Sequence, residues 1–120
     1  MVPKKRSNLS REDQMKIAVS ATGGSMMAKV SEQFGRCAYF LIVDSETMKF
    51  DPVANPGISM AGGAGPEAAR VIKGANVLLT GSVGPNAKSA LDAAGIKTVT
   101  GVSGAKTVKE AVDDYLKSQK

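Results

Sequence analysis

One short segment of the sequence concentrates residue types that can hold a charged ligand. It covers residues 34–40, FGRCAYF, and leads into the strongest strand pattern of the chain. Gly35 permits a sharp bend, Phe34 can pack beneath it, and Arg36 can turn its planar set of donors toward an anion. Cys37 is the only cysteine and therefore the only candidate thiolate. It is either a soft ligand to a metal or metal–sulfide cluster, or a small apolar residue buried at the start of a strand.

The composition excludes most other kinds of reactive site. None of the 120 residues is a histidine, which removes the Ser-His-Asp triad and every His-rich metal site. A single cysteine excludes an internal disulfide and a cysteine-cluster site within one chain. Only 4% of the residues are aromatic, so a stacking surface for single-stranded nucleic acid is poorly supplied. We therefore expect no nucleic-acid partner, and either a binding protein or chemistry without the usual acid–base groups.

The carboxylates are scattered rather than clustered. A two-metal nuclease needs an aspartate in its first strand to hold magnesium, and residues 16–20 contain none. Asp44, Asp51 and Glu67 show no spacing that would bring them together. This pattern argues against a metal-dependent hydrolase and leaves a degenerate nuclease as the weakest of the functions considered.

Four glycine-rich loops follow strands or precede helices. They cover residues 21–27, 55–65, 81–86 and 101–106. In an open α/β sheet, ligands bind beyond the carboxyl ends of the parallel strands, so we expect the first and third of these loops to meet there. Helices that start near Pro66 and Asn86 would direct free backbone N–H groups and their dipoles toward the same crevice, which favours an anion. Each loop taken alone is also consistent with a simple tight turn.

The same loops do not match a nucleotide-binding motif. No GxxxxGK[ST] pattern occurs, and the adjacent Gly23 and Gly24 do not fit GxGxxG after the first strand. We therefore expect no nucleotide cofactor. Met26, Met27 and Met60 lie in two of the loops, where methionine is less usual than in a core. They are either soft-sulfur contacts to a ligand or residues that pack the loops.

These loops need a sheet and helices to hold them, and the hydropathy pattern predicts both. Apolar runs predict strands at residues 16–20, 39–43, 49–53, 76–80 and 97–100. Proline at helix starts, a glycine stop at Gly95 and apolar residues at helical spacing predict helices at residues 66–73, 86–94 and 107–118. The order β-β-β-α-β-α-β-α predicts an α/β fold with a mixed, mostly parallel five-stranded sheet. Its N-terminal portion is an antiparallel hairpin, and helices lie on both faces.

The positive charge lies mainly near the N-terminus. The chain has 16 Lys and Arg residues against 11 Asp and Glu, a net charge of +5. We interpret residues 1–14 as a flexible basic N-terminal extension and residues 15–120 as a single cofactor-binding α/β domain. Short basic tails are usually solvated, although one could contact an acidic partner. No run of 18 apolar residues occurs, so we expect no membrane partner, and the lone thiol fits a reducing, cytoplasmic setting.

Several motifs in a fixed order resemble a known family. The strand KIAVS is followed by FGRCAYFLIVD, then NPGISMAGGAGPEAARVI, then NVLLTGSVGPNAKSALDAAGIK. This pattern, over residues 15–117, resembles the dinitrogenase iron-molybdenum cofactor biosynthesis family. The joint occurrence of FGR, GGAG and GPNA carries the resemblance, because each motif alone is weak. The resemblance implies a ribonuclease H-like, three-layer α/β fold without nuclease activity, and the binding or carriage of an anionic metal–sulfur cluster or cofactor precursor.

The resemblance also implies where such a cluster would bind. Matched by motif, the cofactor-facing residues are Phe34, Gly35 and Arg36, the segment Gly62, Gly63, Ala64 and Gly65, and Gly84, Pro85 and Asn86. Some members use histidines or further cysteines, which this chain lacks, and one small member holds a mixed molybdenum–copper sulfide cluster non-covalently. A thiometallate brings its own sulfides and negative charge, so N–H donors and a guanidinium suffice to hold it.

Our leading hypothesis is therefore a non-enzymatic carrier or assembly protein for an anionic molybdenum-containing cluster, either a molybdenum–copper sulfide or an iron-molybdenum cofactor precursor. Its partners would be the cluster and a cofactor assembly or recipient protein. The alternative is a metal-free regulatory module that binds a partner protein in cofactor assembly. The candidate site residues are Thr22, Gly23, Gly24, Phe34, Gly35, Arg36, Cys37, Met60, Gly62, Gly63, Ala64, Gly65, Ser82, Gly84, Pro85 and Asn86.

Overall fold

A five-stranded mixed sheet with helices on both faces organises the chain. The computed structural model describes residues 15–59 and 64–118. The strands in this part are β1 (Lys16–Ala21), β2 (Tyr39–Asp44), β3 (Phe50–Ala54), β4 (Val77–Leu79) and β5 (Lys97–Val99). The helices are α1 (Ala64–Val71), α2 (Pro85–Ala93) and α3 (Val108–Ser118), with short 3-10 turns at Phe34–Arg36 and Pro56–Ser59. The predicted α/β class and element order are confirmed within the described residues.

The strand order is β3-β2-β1-β4-β5. β2 pairs antiparallel with both β1 and β3, and Ile17 of β1 lies opposite Val43 of β2. β4 pairs parallel with β1, and β5 pairs parallel with β4. The prediction of a mixed sheet with an antiparallel N-terminal portion is therefore confirmed. Two of the four pairings are parallel, so the sheet is evenly mixed rather than mostly parallel as predicted.

Alternate residues of β1 enter two separate cores. Ile17 and Val19 point to the face covered by α3, where Val108 and Val112 lie against them in one apolar cluster. Ala18 points to the opposite face, which belongs to the cluster that holds Phe34, Phe40 and residues of α1 and α2. The period of two in a strand thus divides one short sequence between both layers. Because both faces of the strand are covered, its residues Ile17, Ala18 and Val19 are all apolar and do not alternate with polar ones.

Local sequence signals set the ends of the helices. Pro85 opens α2 at a position where the missing N–H costs nothing, and Gly95 follows its end with a positive φ of 76°. α1 begins at Ala64, two residues before the predicted start at Pro66. The two 3-10 turns were not predicted, because three or four residues give no periodic pattern. The strand and helix bounds otherwise fall within two residues of the predictions.

Several expectations fall on residues for which the structure gives no description. These are the basic extension at residues 1–14 and the loop that contains Met60, Gly62 and Gly63. In the described ranges, none of the helices combines the length and the apolar character that a membrane span requires.

Candidate functional site

A cavity of about 440 Å³ lies beyond the carboxyl end of β4, where two helices begin. Three segments line it: the Phe34–Arg36 turn with the residue before it, the start of α1, and the loop that leads from β4 into α2. The lining residues are Gln33, Phe34, Gly35, Arg36, Gly65, Pro66, Ser82, Val83, Gly84, Pro85, Asn86 and Ala87. The structure thus brings together eight of the predicted site residues: Phe34, Gly35, Arg36, Gly65, Ser82, Gly84, Pro85 and Asn86.

The Phe34–Arg36 turn is held in place by an aromatic contact and by a backbone hydrogen bond. The ring of Phe34 is 1% exposed and lies against Phe40, with 5.2 Å between the ring centroids. The backbone N–H of Phe34 donates to the carbonyl of Ser82 over 3.2 Å. Arg36 lies on the exposed side of the turn and lines the cavity. A buried aromatic ring therefore holds the turn from which Arg36 reaches the cavity.

The loop after β4 is tied to the segment before the turn. The backbone N–H of Ser82 donates to the carbonyl of Glu32 over 2.8 Å, and the Ser82 hydroxyl donates to the same oxygen over 3.1 Å. A Cβ on Gly81 would lie 2.6 Å from the backbone of Glu32, so only glycine allows this close approach. The two loops that form one side of the cavity are held together as a unit.

A pair of buried hydroxyl groups lies beneath this junction. Ser20, at the end of β1, donates to the carbonyl of Ser31 over 2.6 Å, and its oxygen lies 2.7 Å from the hydroxyl oxygen of Thr80. The single proton of Ser20 is used for Ser31, so Thr80 is the donor within the pair. These bonds fix where the chain leaves the ends of the two central strands.

The start of α2 presents unsatisfied backbone donors at the cavity. Gly84 is the N-cap residue and has no side chain to accept a hydrogen bond, and Pro85 occupies the first helical position. The N–H groups of Asn86 and Ala87 follow in the first turn, and both residues line the cavity. Within the described residues no partner for these two donors is found. The first turn of a helix carries partial positive charge, so these groups favour an anion.

The charge of the lining is positive. Arg36 is the only charged residue among those described in the lining. Two carboxylates lie near in sequence, and both have partners. Glu67 in the first turn of α1 accepts a hydrogen bond from Arg70, which holds the pKa of Glu67 below its usual value. Glu32 accepts the backbone N–H of Gly104 over 2.6 Å, away from the lining.

Cys37 lies in the core and outside the lining of the cavity. Its side chain is 1% exposed in the core beneath α1, and it is not part of the cavity lining. Burial raises the pKa of this thiol from 9.0 to about 12, and the S–H donates to the carbonyl of Phe34 over 3.4 Å. Of the two alternatives from the sequence, the geometry favours the small buried apolar residue.

The loop after β1 does not join the cavity. Thr22 donates its backbone N–H to the carbonyl of Lys29 over 2.9 Å, so the loop turns back on itself. Gly23 faces Ala28, and Gly24 lies beside Tyr39 and Pro52 on the antiparallel side of the sheet.

The physical reason is the returning chain. Val30 forms a bridge with Ala21, and Ser31 donates its backbone N–H to Ser20. Residues 31–36 therefore lie where the loop of residues 21–27 was expected to lie.

Of the loop methionines, Met26 packs against the α3-side core and Met27 is 69% exposed. Ala64, the first residue of α1, directly precedes the lining residue Gly65.

Asn55 is a buried residue beside the site that no sequence motif singled out. It is 3% exposed, and its side-chain amide donates to the carbonyls of Gly35 over 3.1 Å and Cys37 over 2.9 Å. Its Oδ1 accepts the backbone N–H of Gly57 over 2.9 Å. Asparagine before proline does predict a turn of this kind, but the bonds to residues 34–37 are non-local and have no sequence signature.

A second cavity, of about 290 Å³, lies between β5 and α3 on the other face of the sheet. Its walls include Leu79, Val99 and Tyr115, and its charged residues are Lys106 and Asp114. These two form an ion pair, and Lys106 holds the pKa of Asp114 below its usual value. The lining of this second cavity contains a carboxylate, which repels an anion, whereas the described lining of the first cavity contains none, so the first cavity is the better candidate.

The donor set of the described residues does not suit a bare metal ion. No group of three or more His, Cys, Asp and Glu side chains comes together in residues 15–59 and 64–118. The cavity instead offers a guanidinium, backbone N–H groups and apolar walls, which suit an anion that carries its own ligands.

Comparisons with known proteins show what the chain is similar to. The family model described as dinitrogenase iron-molybdenum cofactor matches residues 15–118. The apo form of the orange protein from Desulfovibrio gigas superposes with a TM-score of 0.83 at 44% sequence identity, covering 88% of this chain and 89% of that one. A putative NifB protein from Thermotoga, solved by NMR, gives a TM-score of 0.74 at 34% identity, covering 88% and 90%. No match was found among curated proteins.

Proposed function

The chain belongs to the dinitrogenase iron-molybdenum cofactor family, and from this premise we propose that it binds an anionic molybdenum-containing metal–sulfur cluster without covalent bonds. Its role is that of a carrier or assembly protein rather than an enzyme. The cluster is cargo, and a cofactor assembly or recipient protein is its partner. A molybdenum–copper sulfide is the form of the cluster that we favour, with an iron-molybdenum cofactor precursor as the other form.

One observation carries this proposal. The described lining of the 440 Å³ cavity combines Arg36 with the uncapped start of α2 and contains no carboxylate. Charge-assisted hydrogen bonds from a guanidinium to an anion are about twice as strong as neutral ones. Sulfide ligands on the cluster would accept these bonds, so the protein needs no side-chain ligand to the metal. The description of the matching family, dinitrogenase iron-molybdenum cofactor, supports a molybdenum-containing cluster as the ligand.

A non-enzymatic role follows from the same set of groups. In the described lining, the polar side chains besides Arg36 are Gln33, Ser82 and Asn86. None of these is a general base near neutral pH without an activating partner. Binding and release are therefore the chemistry that this lining supports. The ribonuclease H-like classification stays a prediction, which the strand order β3-β2-β1-β4-β5 supports.

The experiment is cluster uptake by the purified protein. Tetrathiomolybdate and Cu(I) are added to the apo protein, which is then desalted and analysed for molybdenum, copper and visible absorption. We expect a chromophore that elutes with the protein at a fixed metal-to-protein ratio. Tetrathiomolybdate alone is the matched arm, because retention without copper would indicate a simple thiomolybdate as cargo. Loss of all colour on the column would reject the proposal and favour the metal-free interaction module.

A further inference from the structure

The side-chain amide of Asn55 connects two segments that border the cavity. Its nitrogen donates to the carbonyl of Gly35 in the Phe34–Arg36 turn and to that of Cys37 directly after it, and its oxygen accepts the N–H of Gly57 in the Pro56–Ser59 turn. The second turn, Pro56–Ser59, packs on α1, whose first residues line the cavity. One buried side chain thus fixes the position of the Phe34–Arg36 turn relative to the start of α1.

The orientation of this amide is determined by its partners. A flipped amide would place its oxygen against the two carbonyl oxygens and its NH₂ against the N–H of Gly57. All three contacts would then be repulsive, so the nitrogen must face the carbonyls. The Nδ2 group also lies 3.8 Å from the Cys37 sulfur. Each polar atom of this 3% exposed side chain has a partner.

The direction of the two carbonyls matters for the charge at the cavity. A peptide carbonyl oxygen carries partial negative charge, and Gly35 is itself a lining residue. Asn55 is not part of the lining, so a carbonyl bound to its Nδ2 points into the protein rather than toward the ligand. The bond from Asn55 to the Gly35 carbonyl thus holds the turn with its Arg36 side facing the cavity.

We propose that Asn55 is a positioning residue that makes this cavity selective for anions, because it holds the carbonyl oxygens of Gly35 and Cys37 away from the ligand. The inference rests on the proposed function and names the residue that adapts the site to it. Asn55 does not touch the cluster. It acts through the turn that presents Arg36.

Asn55→Ser separates the two halves of the amide. The serine hydroxyl can still accept the N–H of Gly57, as in a common serine turn, but it lacks the two donors for the carbonyls. We expect its dissociation constant for tetrathiomolybdate to rise about tenfold, the effect of one or two lost hydrogen bonds. Asn55→Asp keeps the same acceptor and places a second oxygen against the carbonyls, so it should weaken binding further.

Asn76→Ser is the matched control. Asn76 also uses its side-chain amide for one bond to the backbone, accepting the N–H of Lys16 over 2.8 Å, but at the opposite ends of β1 and β4. The affinity of Asn76→Ser for tetrathiomolybdate should equal that of the native chain. Binding is followed by visible absorption at a temperature where the dispersed amide spectrum shows that each variant is folded.

Native Asn55 supplies a readout that needs no variant. Its side-chain NH₂ protons should exchange with solvent far more slowly than those of the exposed Asn76. Fast exchange at Asn55, or native affinity in Asn55→Ser, would overturn the inference and leave the proposed function intact. If the native chain itself fails to bind tetrathiomolybdate, the proposed function fails, and the anion selectivity of Asn55 fails with it.

Discussion

Arg36 and Cys37 are neighbours in the sequence with opposite environments. Arg36 is exposed at the cavity, whereas Cys37 is 1% exposed in the core below it. The 3-10 turn ends between them, so that Phe34 and Cys37 pack in the core and Arg36 lies exposed at the cavity. The sequence identified both residues as candidates, but the side to which each points depends on a short turn that has no periodic signature.

Arg36→Gln tests the charge at the site. The substitution keeps a polar side chain and removes the guanidinium, so we expect the dissociation constant for tetrathiomolybdate to rise at least about tenfold, the loss of one charge-assisted hydrogen bond. Arg70→Gln is the control, because Arg70 is exposed on α1 and paired with Glu67 outside the lining. Equal affinities for the two variants in an absorption titration would show that Arg36 does not contact the anion.

Cys37→Ala tests whether the thiol is a ligand. We expect the variant to retain its affinity for the cluster, and native Cys37 to react slowly with a thiol reagent at pH 8 because it is buried and protonated. A variant that takes up no cluster while folded would show that the sulfur binds metal.

The same thiol has a consequence for stability at alkaline pH. Its pKa is 9.0 in the unfolded chain and about 12 in the folded one. The buried neutral thiol contributes to the free energy of unfolding, and this contribution is full below pH 9. It is lost as pH rises toward 12, at about 1.4 kcal/mol per pH unit. In denaturant unfolding, the free energy of unfolding of the native chain should fall more steeply with pH than that of Cys37→Ala. Parallel curves for the two proteins would contradict the burial of the thiol.

Two helix starts meet at the cavity, and glycine allows their approach. A Cβ on Gly65 would lie 2.8 Å from the Cβ of Ala87, which brings the first turns of α1 and α2 into contact. Strand and helix positions were predictable because periodicity, proline and glycine act locally. The place of residues 21–27 was not predictable, because it depends on the bridge between Ala21 and Val30, a contact that no local pattern encodes.

Gly84→Asp tests the helix start directly. Gly84 has an extended φ of −80° and open space around its Cα, so an aspartate fits there. Its carboxylate would cap the N–H groups of Asn86 and Ala87 and should stabilise the apo protein by about 1 kcal/mol. The same carboxylate would occupy the donors and repel the anion, so uptake of the cluster should be lost.

Opposite changes in stability and affinity are the specific result expected for Gly84→Asp. They are read from thermal unfolding and from an absorption titration of the same sample. Gly84→Ala is the matched variant without a charge or a capping oxygen. A Gly84→Asp protein that is more stable and still binds the cluster with native affinity would place the anion elsewhere.

On the scale of the whole molecule, the sheet separates the candidate site from the second core. The candidate site belongs to the face with α1 and α2, and α3 covers the other face with its own apolar cluster. The predicted element order, the mixed five-stranded sheet and its antiparallel N-terminal portion are confirmed, because alternating burial and crossover rules constrain them strongly, whereas the share of parallel pairings was overestimated. The choice between the two cavities could not be predicted, since it depends on which charged side chains the fold brings to each lining.

Val112→Ala tests this separation. Val112 is fully buried in the α3-side cluster, so its truncation should lower the free energy of unfolding by about 2 kcal/mol. The dissociation constant for tetrathiomolybdate should stay within about twofold of the native value, because distant sites act independently. An affinity that falls in step with stability would show that the two faces are coupled.

The most direct measurement is a map of backbone amide shifts on titration with tetrathiomolybdate. We predict that the largest changes fall at Gly35, Arg36, Asn86 and Ala87, the turn and helix start that line the cavity. Amides near Ser103 and Tyr115, at the second cavity, should stay in place. Shifts centred on the second cavity, or none beyond the general effect of added salt, would contradict the account.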